Sequence, residues 1–373
     1  MTATDDLEAA RSALLMINPA PFNAEAPPAA LAGKITPTEL HYVRSNFAVP
    51  AHDGTLEISG AVGNPTTLTL EDLRAMPAHE HAVTLECAGN GRLDMRPLPT
   101  GEPWGDYAIS TARWKGALLS DVLDLARPSA DGVDIRFEGA DHGPYHLRPV
   151  LAKTSRDDLT FERALPLTLA ADPQASILIA YEMNGRPLGP DHGAPFRVIV
   201  PHWYAVASVK WLKRIDVLTT PFTGEFQTGH YMYQWPDRPH EAVNLMRVRA
   251  RITDPAPGST IGPGQYIVRG KAWSGQGPVT SIEVSLTGEG RLAPGRGATP
   301  RRPVPVAGLD VPLGRSRRRQ AYAARPGHRR SREHPTRRAT VEPTRIRKQR
   351  HRGRVRRPAL TRLAHGTGQV GVC

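Results

Sequence analysis

Cysteine is nearly absent from this chain. Two of its 373 residues are cysteines, Cys87 and the last residue, Cys373, so no disulfide framework staples the fold. No Cys-x-x-Cys-His stretch is present to attach a haem, and none is expected. Long apolar runs are missing too; none approaches the roughly 18 residues of a membrane span, and no membrane partner is expected. The stretch Met1 to Ala10 is acidic, without the basic and then apolar pattern of a secretory leader and without a twin-arginine signal. A cytoplasmic protein is the expectation. The length suits about two domains with a sizeable core.

A net charge of +12 invites a nucleic-acid partner, but the charge is concentrated at one end. Residues 291–373 hold 23 Lys and Arg against 3 Asp and Glu, which leaves 25 against 33 for residues 1–290. An acidic body of about −8 therefore carries a basic tail of about +20. The tail has one aromatic residue, Tyr322, and is rich in Arg, Pro, Ala and Gly. Such a composition buries too little apolar surface to offset chain entropy, so disorder is expected. An Arg-rich tail can bind the phosphates of RNA or DNA. Reading a GC-rich gene out of frame gives the same composition. With permitted codons, residues 341–353 read one base later give Trp-Asn-Arg-Leu-Gly-Tyr-Gly-Asn-Asn-Gly-Ile-Glu. The out-of-frame origin is the favoured reading, and a nucleic-acid partner is disfavoured.

Residues 1–33 are Ala- and Pro-rich and read as an extended lead-in. Residues 34–243 read as one mixed domain. Leu56 to Gly60 and His81 to Cys87 are strand-like, and Thr69 followed by Glu71 and Asp72 has the form of a helix start. Leu118, Leu119, Val122, Leu125 and Ala126 mark one face of a short helix. Val133, Ile135 and Phe137 alternate as in a half-buried strand, as do Phe196, Val198 and Val200. From 244 to 288 the style changes. Val248/Ala250/Ile252 and Ile282/Val284/Leu286 alternate strictly around turn clusters such as Asp254-Pro255-Ala256-Pro257-Gly258, as in the first strands of a β-sandwich. The pattern breaks off near residues 287–290, and residues 289–373 form the basic tail.

Within the body, Cys87 follows an apolar stretch and opens the small-residue loop Ala88-Gly89-Asn90-Gly91 before Arg92. A thiolate is a soft metal ligand, and one cysteine can fill one site on a metal whose other ligands come from a cofactor. A small buried hydrophobe is the plainer reading of a lone cysteine. The neighbouring motifs decide between them. Tyr42-Val43-Arg44-Ser45-Asn46-Phe47-Ala48-Val49-Pro50 resembles the Phe-Val-Arg-Asn-His-x-x-Val-Pro motif of the sulfite oxidase family of molybdopterin enzymes. Cys87-Ala88-Gly89-Asn90-Gly91-Arg92 resembles its molybdenum-cysteine loop. Ala180 to Leu188, then Asp191-His192-Gly193-Ala194-Pro195-Phe196-Arg197, resembles its longest signature, and Ser208-Val209-Lys210-Trp211-Leu212 completes the set. The resemblance covers residues 20–288. The shifted-frame peptide is similar to the family's C-terminal Trp-Asn…Gly-Tyr-x-Asn-Asn segment.

The resemblance implies an α+β molybdopterin-binding domain, an immunoglobulin-like dimerisation domain that is incomplete here, and a disordered basic tail. It implies one pyranopterin dithiolene on molybdenum, with Cys87 as sole protein ligand. Tyr42, Val43, Arg44, Ser45, Asn46, Asp141, His192, Arg197, Ser208, Val209 and Lys210 are the implied contacts to the pterin or its phosphate. Arg44 and Arg92 are the candidates for a sulfite-like oxyanion, because planar guanidinium forks bind such oxygens bidentately. The implied activity is oxidation of sulfite or a related sulfur species, with electrons passing to an external acceptor such as a cytochrome or oxygen. A same-fold reductase of nitrate or sulfoxides is the alternative. The family is homodimeric through its sandwich, and a half-built sandwich works against that here. Two departures stand out. Phe161 occupies the place expected for an active-site tyrosine, with Tyr145 as a spatial substitute, and Ser45-Asn46 replaces Asn-His.

Overall fold

The computed structural model describes residue 8 and residues 11–145, 156–235, 237–285, 292–294, 296–297 and 306–313. The shifted-frame segment 341–353, like all of the basic tail past residue 313, lies outside the described residues. The chain divides into two units, one running to Met246 and one beginning at Arg247.

The first unit starts with a hairpin where the sequence predicts an extended lead-in. β1 (Leu15–Pro19) pairs antiparallel with β2 (Phe22–Glu25). Burial explains the difference: Asn23, Ala24, Glu25 and Ala26 are all enclosed. Ala24 and Val43 exchange backbone hydrogen bonds of 3.0 and 2.9 Å, which fastens the Tyr42–Asn46 stretch to the hairpin.

Two five-stranded sheets follow. The first comprises β3 (Thr55–Gly60), β4 (Thr66–Thr69), β7 (Asp134–Tyr145), β8 (Arg156–Pro166) and β12 (Leu212–Leu218), in the order β4-β3-β12-β7-β8. The β12–β3 pair is parallel and the others are antiparallel. The second comprises β5 (Ala78–Glu86), β6 (Ile109–Leu118), β9 (Leu178–Met183), β10 (Arg186–Pro187) and β11 (Arg197–Ile199), with β9 at its branch point. A short ribbon pairs β13 (Met232–Tyr233) with β14 (Glu241–Ala242).

The helices are short. α1 (Leu70–Ala75) carries the predicted cap: Asp72 N donates to Thr69 Oγ1 at 3.2 Å, and Thr69 N donates to the Asp72 carboxylate at 2.8 Å. α2 (Leu119–Ala126) buries Leu119, Val122, Leu123 and Ala126, while Leu125, predicted on that face, is exposed. The helix begins at Leu119, so the i, i+3, i+4, i+7 stripe selects Leu123 instead. α3 (Leu167–Ala170) is a single turn. No helix among the described residues is long and apolar enough to cross a membrane.

Two apolar clusters hold this unit. Leu56, Ile58, Val122, Phe137, Val198 and Ile215 belong to the larger one. Leu85, Cys87, Trp104, Trp114, Leu178 and Ile199 belong to the other, so the candidate metal ligand sits in a packed wall.

In the second unit, β15 (Arg249–Asp254), β16 (Tyr266–Trp273), β19 (Arg296–Gly297) and β20 (Val306–Leu313) form a sheet in the order β15-β16-β20-β19. β17 (Glu283–Ser285) pairs with β18 (Leu292–Pro294). Ile252, Val268, Ala272, Ile282 and Val284 form its core. Strands thus continue past residue 288, where the composition predicts none. Leu309, Val311 and Leu313 alternate with Asp310 and Pro312. That short pattern is obscured by the arginines around it, and β20 pairs with β16 along its whole length.

Candidate active site

Cys87 directly follows β5. Its N–H donates to Ala108 O at 2.9 Å, and its carbonyl accepts from Asn90 N at 2.9 Å. The Asn90 side chain closes the loop, donating to Glu86 Oε1 at 2.9 Å and accepting from Ala108 N at 3.1 Å. Gly91 adopts φ +79°, a left-handed turn that favours glycine. Arg92 is buried, donates to the Glu102 carbonyl, and lies between Gly89 and Gly101. A Cβ at Gly89 would come within 2.6 Å of Arg92 Nη2, and one at Gly101 within 2.7 Å of Arg92 Cζ. The two glycines therefore make a slot for the guanidinium.

Cys87 opens into a cleft. Of the residues singled out in the sequence, Tyr42, Arg44, Ser45 and Asn46 line it, as do Asp141, His192, Arg197, Ser208 and Lys210. Val43, Val209 and Arg92 do not. The two valines pack in the core, and Arg92 braces the cysteine loop.

The first group is aimed by the hairpin. Asn23 Oδ1 accepts from Ser45 N at 2.7 Å and from Arg44 at 3.3 Å, while Tyr42 N donates to Ser110 Oγ on β6 at 3.1 Å. The Arg44 guanidinium also donates to the Ser45 carbonyl, to Asn46 Oδ1, and to the Tyr231 hydroxyl at 3.4 Å.

The second group comes from within β7 (Asp141), from the first residue of β11 (Arg197) and from the turns that precede β11 and β12. Lys210 Nζ donates to Ser45 Oγ at 2.7 Å and to the Asp191 carbonyl at 2.9 Å, and it lies 4.1 Å from the Trp211 ring centre. Both terminal nitrogens of Arg197 are spent on carbonyls, His192 at 3.1 Å and Ser208 at 2.7 Å. Arg11 grips the Asp191 carboxylate with a fork of 2.8 and 2.7 Å.

Enclosure sets the charges. Burial pushes the Asp141 carboxyl up to about 7, against the pull of Lys210. Burial lowers His192 to about 3, and Lys210 and Arg197 add to the effect. Burial pushes the Cys87 thiol up, while Arg44 and Arg92 favour its thiolate. A metal bound to the sulfur would complete that deprotonation.

Sequence reasoning misses His41, Asp191 and Tyr231, which also line the cleft. His41 and Asp191 adjoin motif residues Tyr42 and His192, so proximity was the available signal. Tyr231 lies beyond the last motif and carries none. Phe161 does line the cleft. Tyr145 packs instead against Phe47, Phe226 and His230.

The contents of the cleft fit a pterin with an anionic end. Asp141 Oδ1 and His41 Nε2 are buried acceptors without a partner among the described residues, and suit the N–H groups of a pterin. Lys210 and Arg44 supply positive charge, and Cys87 supplies a soft ligand.

Comparison with known proteins agrees. Residues 46–226 match the family described as oxidoreductase molybdopterin binding domain. The chain is 38% identical over 286 residues to the mitochondrial sulfite oxidase of Rattus norvegicus, covering 72% of this chain and 50% of that one. It is 32% identical over 286 residues to the sulfite oxidase of Arabidopsis thaliana, covering 72% of each. The solved structure of the sulfane dehydrogenase SoxCD from Paracoccus pantotrophus matches with a TM-score of 0.68 and 27% identity, over 79% of this chain and 73% of that one. Residues 46–226 thus carry a molybdopterin-binding oxidoreductase domain. More narrowly, the chain belongs to the sulfite oxidase family. It spans about half the length of the mammalian relatives it matches.

Proposed function

We propose that this protein oxidises sulfite, or a related sulfur oxyanion or sulfane sulfur, and passes the electrons to an external acceptor such as a cytochrome or oxygen. One observation carries the reading: a single cleft unites the Cys87 thiol with the Arg44–Tyr231 pair. For sulfite the overall change is sulfite plus water to sulfate, two protons and two electrons. A pterin-borne molybdenum would supply the two-electron redox step when bound.

The protein's own residues have separable tasks. Cys87 would hold the metal from the packed wall behind it. Tyr42, Ser45, Asn46, Asp141, His192 and Ser208 would seat the pterin, with Lys210 the cation for its phosphate. Arg197 keeps the His192 and Ser208 carbonyls in place. Arg44 would bind the substrate's oxygens by exchanging its present contacts to the Asn46 side chain and the Tyr231 hydroxyl for them. The hydroxyl missing at Phe161 would be supplied by Tyr231, which can donate to the same oxyanion or hold a proton leaving the site. Arg92 would act through the cysteine loop rather than on the substrate. The second unit would serve as the dimerisation domain, and the protein would work in the cytoplasm.

The test is expression in a host that makes the pterin, followed by molybdenum and pterin counts per protomer and sulfite-dependent reduction of an electron acceptor. Cys87→Ser should abolish turnover. Protein without metal, or full turnover by the serine variant with its metal intact, would sink the reading.

A further inference from the structure

The geometry points to His41 as a cofactor-binding residue whose Nε2 accepts a hydrogen bond from an N–H group of the pterin. This inference rests on the reading above and deepens it. His41 lies in the cleft wall and is 2% exposed. Its Nδ1 sits 2.9 Å from the Tyr42 carbonyl. A carbonyl only accepts, so Nδ1 carries the proton and Nε2 presents a lone pair in the neutral ring. That Nε2 is buried and has no partner among the described residues.

The surroundings commit the ring to this state. Its face stacks on Tyr42 at 5.2 Å, while Trp114 and His192 meet it edge-on at 5.8 and 5.2 Å. His192, Arg197 and Lys210 are the charged or titratable groups acting on it, and all three oppose a second proton. Burial, the largest cause, acts in the same direction, so His41 is held well below the usual histidine range. A neutral acceptor enclosed by aromatic rings is costly unless a ligand brings the donor. Asp141 Oδ1 is a second unpartnered acceptor in the same cleft. Together they favour a ligand rich in N–H groups over a purely anionic one.

The test compares wild type, His41→Phe and His41→Gln as full chains. Phenylalanine keeps the ring and removes the acceptor; glutamine offers an acceptor oxygen near the Nε2 position. Pterin per protomer and the rate of pterin loss on dilution are read from the fluorescence of the oxidised, released pterin. Melting of pterin-free protein, made in a host lacking the cofactor, is read alongside. We expect His41→Phe to lose pterin about tenfold faster, as for one lost hydrogen bond, and His41→Gln to recover part of the deficit. Pterin-free His41→Phe should melt no lower than wild type, because it lacks the unsatisfied nitrogen. Equal pterin retention by wild type and His41→Phe would overturn the inference alone. A His41→Phe protein that melts lower when pterin-free, and is not rescued by glutamine, would overturn it in favour of a packing role. Wild type that holds no pterin at all would overturn the functional reading, and this inference with it.

Discussion

The Arg44 guanidinium and the Tyr231 hydroxyl meet at 3.4 Å across 187 residues of sequence. One is tied to the N-terminal hairpin, and the other follows a π-helical turn at Phe226–His230. Their meeting gives the cleft a charged fork and a hydroxyl side by side. Tyr231→Phe keeps the ring and deletes the hydroxyl. Loss of a hydrogen bond to a charged group costs about 1.5–3 kcal/mol, so kcat/KM for sulfite should fall about ten- to a hundredfold. Steady-state kinetics with unchanged pterin content check this. Unaltered kcat/KM would remove Tyr231 from the site.

Arg11→Ala should loosen the turn that carries His192. The Asp191 side chain is 7% exposed and would lose both bonds of its fork. Arg11 itself is 30% exposed, so solvent screens part of the interaction. A loss of about 1–2 kcal/mol is expected, below the cost of breaking a fully buried pair. Denaturant titration measures it. Arg11→Lys, which keeps the charge without the fork, should recover less than half.

Gly193→Ala tests how closely the signature loop approaches Lys210. Gly193 has φ +96°, and a Cβ there would lie 2.9 Å from Lys210 Cβ. Gly185 has φ +78° with nothing within 4 Å. Both alanine variants should lose about 1–2 kcal/mol to backbone strain. Gly193→Ala alone should also lose pterin, by displacing the Lys210 ammonium. Equal pterin content in the two proteins would argue against that.

Acid should destabilise the pterin-free protein partly through His192. The unfolded histidine protonates near 6.5 and the folded one near 3, so between these values the unfolded chain binds more protons. Stability therefore falls as pH drops through that window, by up to about 1.4 kcal/mol per pH unit for this residue. His41 acts in the same direction. The Asp141 carboxyl, raised by burial, acts in the opposite one. Comparing wild type with His192→Gln between pH 6 and 4 isolates the one histidine. The variant's curve should be flatter, and parallel curves would contradict a buried neutral ring.

Much of the cleft was readable because its motifs are local. The cysteine loop, the Arg44 stretch and the Asp191–Arg197 run each supply several wall residues from a short segment. The capping box at Thr69 was equally plain, since its partners lie three residues apart. What escaped depends on long-range approach. Tyr231 reaches Arg44 only through the folding of β12 and the turn after it. The N-terminal hairpin escaped because Pro and Ala obscure its strand character, although Asn23 and Ala24 are fully buried. Arg92 reads as a substrate candidate by type, and nothing in its sequence neighbourhood signals the slot between Gly89 and Gly101 that holds its guanidinium. β20 was hidden by the arginines that surround it.

The reach of the cleft along the chain has a consequence for biosynthesis. Its wall, with the Arg11 grip on Asp191, draws on residues from Arg11 to Tyr231. A nascent chain still missing Tyr231 at the ribosome cannot assemble the enclosure, even though Cys87 has long since emerged. A cofactor that binds the finished cleft would therefore be loaded only once at least that much of the polypeptide has been released and folded.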